Sequence, residues 1–511
     1  MSKTNLLAAA SFLAALCALF ATLHAGHPLQ GHLVHSDALY LPVLFEDVLR
    51  RGGSLGDWFL TPAPYFFPDF PLYLLAWLGG AGVFAQTTLF ALLQSVFMAG
   101  ALLLLARQAL TGARVAASAA LAILFVWLGL HADDPFVRLF SSAHHYGAFI
   151  CALLLAALWL GLDAGQDGKR GRIAAGVLVA LVYLTTLSDA LFLVQAVMPL
   201  LAAALLCRRG AAPATAPRRA ALLLFVPALV GMLSYRFLVA HPTRYKSRLG
   251  LSHLQANLDE FGKILATLFG ARPLLAAALL LPLLAGLACI LVRLRRDEAF
   301  GLPRPLQLLL MFATLSCAAT AATMLLSTTV QPVPRYLIAA LSLPLVAGVF
   351  ALAWVLGRHF RHAALGLALV FSGLLVLDAW RVRDQHAAHQ YFYPEQVACI
   401  DRALDTAGAR HGIAQYWDAK HIQGLSRHRL TLAQYTGELA PMEWITSQRF
   451  FAGGYDFAII ADQAPPEFRL PRAPLVAANG EPVRSVTCGD LSLLLFGPGR
   501  LRVVPAVQPV R

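Results

Sequence analysis

Phe70-Pro71-Leu72-Tyr73-Leu74-Leu75-Ala76-Trp77-Leu78-Gly79-Gly80-Ala81-Gly82-Val83 is apolar but short, and whether it crosses a membrane decides the topology of the whole chain. A spanning helix needs about 20 mostly apolar residues, and Gly79, Gly80 and Gly82 break this run early. Without it, eleven spans remain, at roughly 5–24, 88–106, 115–131, 145–162, 173–188, 190–207, 220–240, 274–292, 306–327, 336–356 and 363–379. The basic loops then fall together. Arg107 and Arg114, the Lys169–Arg172 and Arg208–Arg219 clusters, Arg293 to Arg304, and Arg358 with Arg361 all share the side of Lys3. That is the cytoplasmic side by the positive-inside rule. Counting 70–83 as a span would move every one of these loops outside, so the segment is placed at the interface or in a re-entrant position.

The composition supports this reading. The 511 residues are 59% hydrophobic and 13% charged, against about 25% charged in soluble domains. The net charge of +13 does not indicate nucleic acid, because the basic residues recur in short clusters between apolar runs instead of forming one patch. The apolar run Leu6–Leu23 exceeds a signal-peptide core of about 7–15 residues and lacks a clear cleavage site, so an uncleaved first helix is expected. The predicted architecture is an α-helical polytopic membrane protein over residues 1–380, with about eleven spans, and a small extracytoplasmic α/β domain over 381–511. Within that domain a helix is expected over 394–407, and strands over 413–416, 457–460 and 491–496. The expected location is the cytoplasmic (inner) membrane, with the N-terminus in the cytoplasm.

The loops 25–87, 132–144 and 241–273 and the C-terminal domain share the outer face, where chemistry is expected. Ala38–Arg50 has helical apolar spacing with Glu46, Asp47 and Arg50 on its polar side, and reads as an amphipathic helix lying on the membrane. Leu251–Leu268 suggests a second surface helix.

Asp37, in His35-Ser36-Asp37-Ala38-Leu39-Tyr40, stands at the membrane edge before a loop ending in Tyr65 and Asp69. Its carboxylate suits a general base, and it equally suits the N-cap of the helix after it. Loop 132–144 adds Asp133, Asp134 and Arg138, with His144 and His145 at its end. Asp133 and Asp134 are candidate catalytic acids and candidate ligands for a divalent metal ion, the one cofactor considered. His35, Tyr40, Tyr65, Asp69, Arg138, His144, His145 and Asp189 are candidate cavity residues. For the histidines a general acid, a phosphate contact and a plain interface residue all stay open, and for Asp189 a helix cap stands beside a cavity role. Arg244, Lys246 and Arg248, with Tyr235, Arg236 and Tyr245 nearby, form an outer basic cluster suited to a lipid-linked phosphate or to anionic headgroups. Arg335 and Tyr336 follow Pro332-Val333-Pro334 at the start of a late span, where an arginine either snorkels or points inward at phosphate. Cys399 and Cys488 stand alone in the C-terminal domain, either bonded to one another or as two buried thiols.

Three features in chain order resemble the GT-C membrane glycosyltransferases, near the protein O-mannosyltransferases and the aminoarabinose transferases of lipid A. These are the early acid Asp37, the stretch Phe66-Phe67-Pro68-Asp69-Phe70-Pro71-Leu72-Tyr73, and Pro334-Arg335-Tyr336. The resemblance covers roughly 1–380. It implies transfer of a sugar, with inversion, from a polyprenyl-phosphate donor to a cell-envelope acceptor glycan, lipid or protein. Asp37 would be the base, and Arg335, or else Arg244 or Arg248, the lipid-phosphate contact. The chain departs from the family where Ala38 follows Asp37, since an acidic pair is common there. A transporter or flippase of lipid-linked saccharides is the main rival. It would place polar residues within the spans, whereas here they crowd the outer ends. A non-catalytic scaffold leaves eleven spans and Asp37 without a role.

Overall fold

The computed structural model describes residues 2–25, 30–132, 134–164, 168–207, 219–243, 248–270, 272–295, 301–329, 331–385, 393–451 and 453–503. Among these, nine helical stretches are long and apolar enough to cross a membrane. One of them, Pro334–Arg383, contains two helices, Ile338–Leu356 and Phe360–Gln385, and Leu193–Cys207 is a shorter apolar helix. Each of the eleven expected apolar runs is therefore helical. The protein is a polytopic membrane protein with a small C-terminal α/β unit.

The segment that decides the topology forms the helix Asp69–Gly79, 11 residues long. At 1.5 Å per residue it covers about 16 Å, half of a hydrocarbon core of about 30 Å. Asp69, Tyr73 and Ala76 turn inward on one stripe, while Leu74, Leu75 and Leu78 are exposed on the other. An apolar stripe left bare in this way suits a helix lying in the interface. The 27-residue helix Val83–Ala109 starts after Gly82, whose φ of +98° needs glycine.

The helix Tyr40–Arg50 departs from its expected place on the membrane surface. Its residues Tyr40 to Phe45 are all buried within protein. Phe45 packs edge-on against Phe70 and Tyr73, and Leu39 and Val43 border Gly424 of the C-terminal unit. Protein, not lipid, covers its apolar face. The helix Leu254–Phe269 agrees with the second expected surface helix and buries only Asn257, Ile264 and Leu268.

A small three-stranded patch joins distant parts of the chain. Strand β1 (Trp58–Leu60) pairs in parallel with β2 (His241–Pro242) and antiparallel with β5 (Thr446–Ser447). The C-terminal sheet has the order β4-β3-β6-β8-β7. Its strands are β3 (His411–Gln415), β4 (Thr431–Tyr435), β6 (Phe457–Ala461), β7 (Arg484–Cys488) and β8 (Leu491–Leu495). The first three run parallel and the last two complete the sheet antiparallel. The expected helix is present as Glu395–Ala407. Strands β4 and β7 were not anticipated. The helix Tyr416–Leu425 crosses from β3 to β4, and Gln415 starts it by accepting the Trp417 N–H at 2.7 Å. Tyr416, expected at the end of a strand, is thus the first residue of a helix at the carboxyl end of β3. Cys399 and Cys488 are bonded, with Cα atoms 5.6 Å apart.

Candidate active site

The turn before Tyr40 presents Asp37. The His35 ring, not the Asp37 carboxylate, takes the free N–H groups there: Nδ1 accepts from Asp37 at 3.2 Å and from Ala38 at 3.4 Å. The helix carries no side-chain cap from Asp37. The carboxylate is left for other partners. Arg335 Nη1 donates to Oδ2 at 2.9 Å, and the Tyr416 hydroxyl donates to Oδ1. Burial pushes the Asp37 carboxyl upward, but Arg335, Tyr416, His35 and Lys420 outweigh it and hold the group below its ordinary range. It is therefore ionised at neutral pH.

The C-terminal unit supplies more than Tyr416. Ser36 Oγ donates to the carbonyls of Tyr416 at 2.6 Å and Trp417 at 2.8 Å. His421 Nδ1 lies 2.9 Å from the Val34 carbonyl. Beneath the Tyr416 ring, Lys420 Nζ sits 4.3 Å from its centroid and donates to Gln434 at 2.9 Å. Burial pushes this lysine down to about 7.

Next to His35, Asp134 grips Arg138 with two hydrogen bonds of 2.6 Å, a bidentate pairing that fixes the guanidinium plane. Arg138 Nη1 lies 2.7 Å from His35 Nε2 and 3.1 Å from His144 Nε2. His144 Nδ1 lies 2.6 Å from the Ser142 carbonyl, so its proton is on Nδ1 and Nε2 accepts from Arg138. Burial and Arg138 push His35 down to about 4 and hold His144 well below its usual range. The buried surroundings and Arg138 thus favour the neutral form of both rings. Asp134 is the partner of Arg138, not a free base or ligand. Among the described residues, only His35, Asp37 and His144 group closely enough to hold a metal ion, and the Arg138 cation at both Nε2 atoms opposes one. Asp133, Arg244 and Lys246 lie outside the described residues.

A second polar chain flanks Arg335. Asp189 Oδ2 lies 2.6 Å from His145 Nδ1, and His145 Nε2 lies 3.3 Å from the Tyr65 hydroxyl. Asp189 Oδ1 also accepts the Leu191 N–H at 3.0 Å, so capping and pairing coexist in one carboxylate. The His145 ring packs on Tyr336, which in turn lies under the Arg335 guanidinium.

Three candidates have other surroundings. Tyr40 is fully buried and its hydroxyl donates to the Pro64 carbonyl at 3.3 Å, a structural bond. Asp69 is sealed inside, where Oδ1 accepts the Ala143 N–H at 2.9 Å; burial pushes it up to about 7. A Cβ on Gly147 would meet its Oδ2 at 2.5 Å, so glycine makes room for this clamp. The Arg248 side chain is exposed, while its carbonyl accepts the Thr328 N–H at 2.9 Å. Tyr416 and Lys420 are residues around Asp37 that sequence reasoning missed. The only hint was a strand ending in Tyr416-Trp417, which local pattern cannot connect to Asp37.

No family model and no curated protein matches the chain. Its structure is similar to that of ArnT from Cupriavidus metallidurans bound to undecaprenyl phosphate. The TM-score is 0.55 at 14% identity, over 95% of this chain and 97% of that one. The same protein in the apo state aligns over 83% of this chain at 13% identity and a TM-score of 0.48. The chain thus has an ArnT-like fold.

Proposed function

We propose that this ArnT-like chain is a membrane glycosyltransferase that moves a sugar from a polyprenyl-phosphate carrier to an acceptor hydroxyl. The observation that carries the reading is the Asp37–Arg335 pair, 2.9 Å apart across 298 residues of sequence. It sets an ionised carboxylate beside a cation at the rim of the helical bundle. The two groups match the two ends of a displacement at an anomeric carbon. Asp37 takes the proton of the acceptor hydroxyl as its oxygen bonds to the carbon from the face opposite the leaving group. The bond from that carbon to the phosphate oxygen breaks, and lipid phosphate leaves with the electron pair. Arg335 receives the charge that develops there. The configuration inverts.

Tyr416 and His35 hold Asp37 in place from two sides. Tyr65, with His145 and Asp189 behind it, stands beside Arg335 and contributes polar contacts to the phosphate. Most of this work is positioning and electrostatics. The site is read on the outer face of the cytoplasmic membrane, with the N-terminus inside. The clustering of basic loops on the side of Lys3 supports this orientation, as does the Cys399–Cys488 bond, which suits an oxidising compartment.

The test is transfer by the purified protein in lipid, offered a panel of radiolabelled undecaprenyl-phosphate sugars and a crude envelope acceptor. Transfer from one donor is expected. Arg335→Gln should lower kcat/KM by about 100-fold or more, as expected for loss of a charge-assisted contact to the leaving group. Tight donor binding without transfer from any donor would support a flippase instead.

A further inference from the structure

A polar cavity lies away from Asp37, along two helices that both begin beside it and reaching their far ends. Tyr40–Arg50 and Tyr416–Leu425 run from the Asp37 turn to a cavity of about 340 Å³. At 1.5 Å per residue, that places its arginine end about 12–15 Å from the carboxylate. Its size suits a small headgroup.

The charge of this cavity is one-sided. Arg50, Arg51, Arg427 and Arg429 line it against the single acid Glu46. Glu46 is shared by Arg50 at 3.4 Å and Arg51 at 3.7 Å. Arg51 is held in place by donating to the Leu430 carbonyl at 2.7 Å. Arg427 lies over the Tyr393 ring, 4.1 Å from its centroid, and Arg50 over Trp77 at 5.0 Å. Such stacking fixes the guanidinium plane and leaves its N–H edge for an oxygen anion. Arg429 makes no ion pair among the described residues.

The remaining wall is the first turn of the helix Val83–Ala109. The N–H groups of a first turn have no partners within the helix, and its dipole favours an anion. The same helix is a candidate membrane span, so the cavity opens at headgroup level. Pro42, Val43 and Leu425 add an apolar side. An arginine set, a helix N-terminus and an apolar wall at the membrane surface together suit one ligand chemistry, a phosphate monoester on an amphiphile.

We infer that this cavity binds the phosphate of a lipid-anchored headgroup, and that it holds the acceptor while a hydroxyl about 12–15 Å away reaches Asp37. The phosphate site stands on its own geometry; its assignment to the acceptor rests on the glycosyltransferase reading.

The experiment is native mass spectrometry of the full-length protein from dodecyl maltoside, with dodecyl phosphate as the probe. Two saturable adducts are expected. Arg427→Gln/Arg429→Gln should weaken one by about tenfold or more, as for lost charge-assisted bonds. Arg335→Gln should remove the other. Arg427→Lys/Arg429→Lys should keep much of the first adduct, which separates lost charge from a disturbed fold. Dodecyl phosphate binding unchanged in the double glutamine variant would overturn the phosphate site, whatever Arg335→Gln does. Inorganic phosphate competing as well as dodecyl phosphate would overturn the lipid-anchored ligand and leave a site for free phosphate. If both adducts behave as expected but the double variant transfers sugar with an unchanged acceptor KM, the acceptor assignment fails.

Discussion

The Tyr416 hydroxyl donates to the Asp37 carboxylate, although the two residues are 379 positions apart. The contact brings the C-terminal α/β unit to the candidate site. Arg335 from a late span and His35 from the first loop complete the surround. The candidate base is thus assembled from three distant parts of the chain.

Replacing Tyr416 by Phe removes one donor from the carboxylate while keeping the ring over Lys420. The lost bond was to a charged group, worth about 1.5–3 kcal/mol, so transfer should fall by roughly 10–100-fold. Tyr416 is among the groups that hold the Asp37 carboxyl low. Without it, the acid limb of the pH–rate profile should move to higher pH. A uniform loss at every pH would instead indicate a purely structural role.

Lys420 tests the electrostatics beneath that ring. Burial lowers it from 10.5 to about 7 in the folded protein. Below pH 7 it is charged in both states and the burial cost is borne in full. Between pH 7 and the ordinary lysine range, the unfolded chain holds more protons than the folded one. Stability therefore rises with pH across that window. In Lys420→Met, the melting temperature should lose this rise and exceed wild type by a few degrees near pH 6. Differential scanning fluorimetry from pH 6 to 10 measures it.

Asp69 gives the opposite slope. Burial raises its carboxyl from 3.8 to about 7, so the folded state holds more protons between these values. Stability falls as pH rises through the window, and above pH 7 the charged, buried form carries the full cost. Asp69→Asn keeps an acceptor for the Ala143 N–H and removes the charge. Its advantage in melting temperature should be largest near pH 8 and vanish near pH 4.

The Cys399–Cys488 bond closes a loop of 89 residues. Replacing both by Ser should destabilise the C-terminal unit by about 2–5 kcal/mol, the usual cost of removing a native disulfide. Limited proteolysis with and without reductant would show the 393–503 region cleaved first in the variant. The helical bundle should melt as before.

Much of the membrane part was legible because hydrocarbon imposes length and composition on each span. The eleven apolar runs are all helical, and 70–83 stops short for the reason its glycines suggest. The helix Tyr40–Arg50 was recognised by its periodicity, but periodicity cannot distinguish lipid from protein as the cover of an apolar face. Asp37, some way beyond the first span, and Arg335, at the start of a late one, each stood out as a candidate in the sequence, and their pairing did not. Tyr416 and Lys420 had no local signal, because their meaning depends on how the sheet docks against the first loop. Asp134 looked like a free acid because nothing in sequence shows that both its oxygens are taken by Arg138 four residues on.

The most direct test of the account is sugar transfer by Asp37→Asn, in lipid, beside wild type. Asn keeps the size and one acceptor oxygen for Arg335, while its amide N–H turns toward the Tyr416 hydroxyl and donates to it, and it cannot accept the proton. The account predicts retained donor binding and a fall in kcat of about 100-fold or more, the usual range for a general base. Transfer at the wild-type rate by a correctly folded Asp37→Asn protein would contradict it.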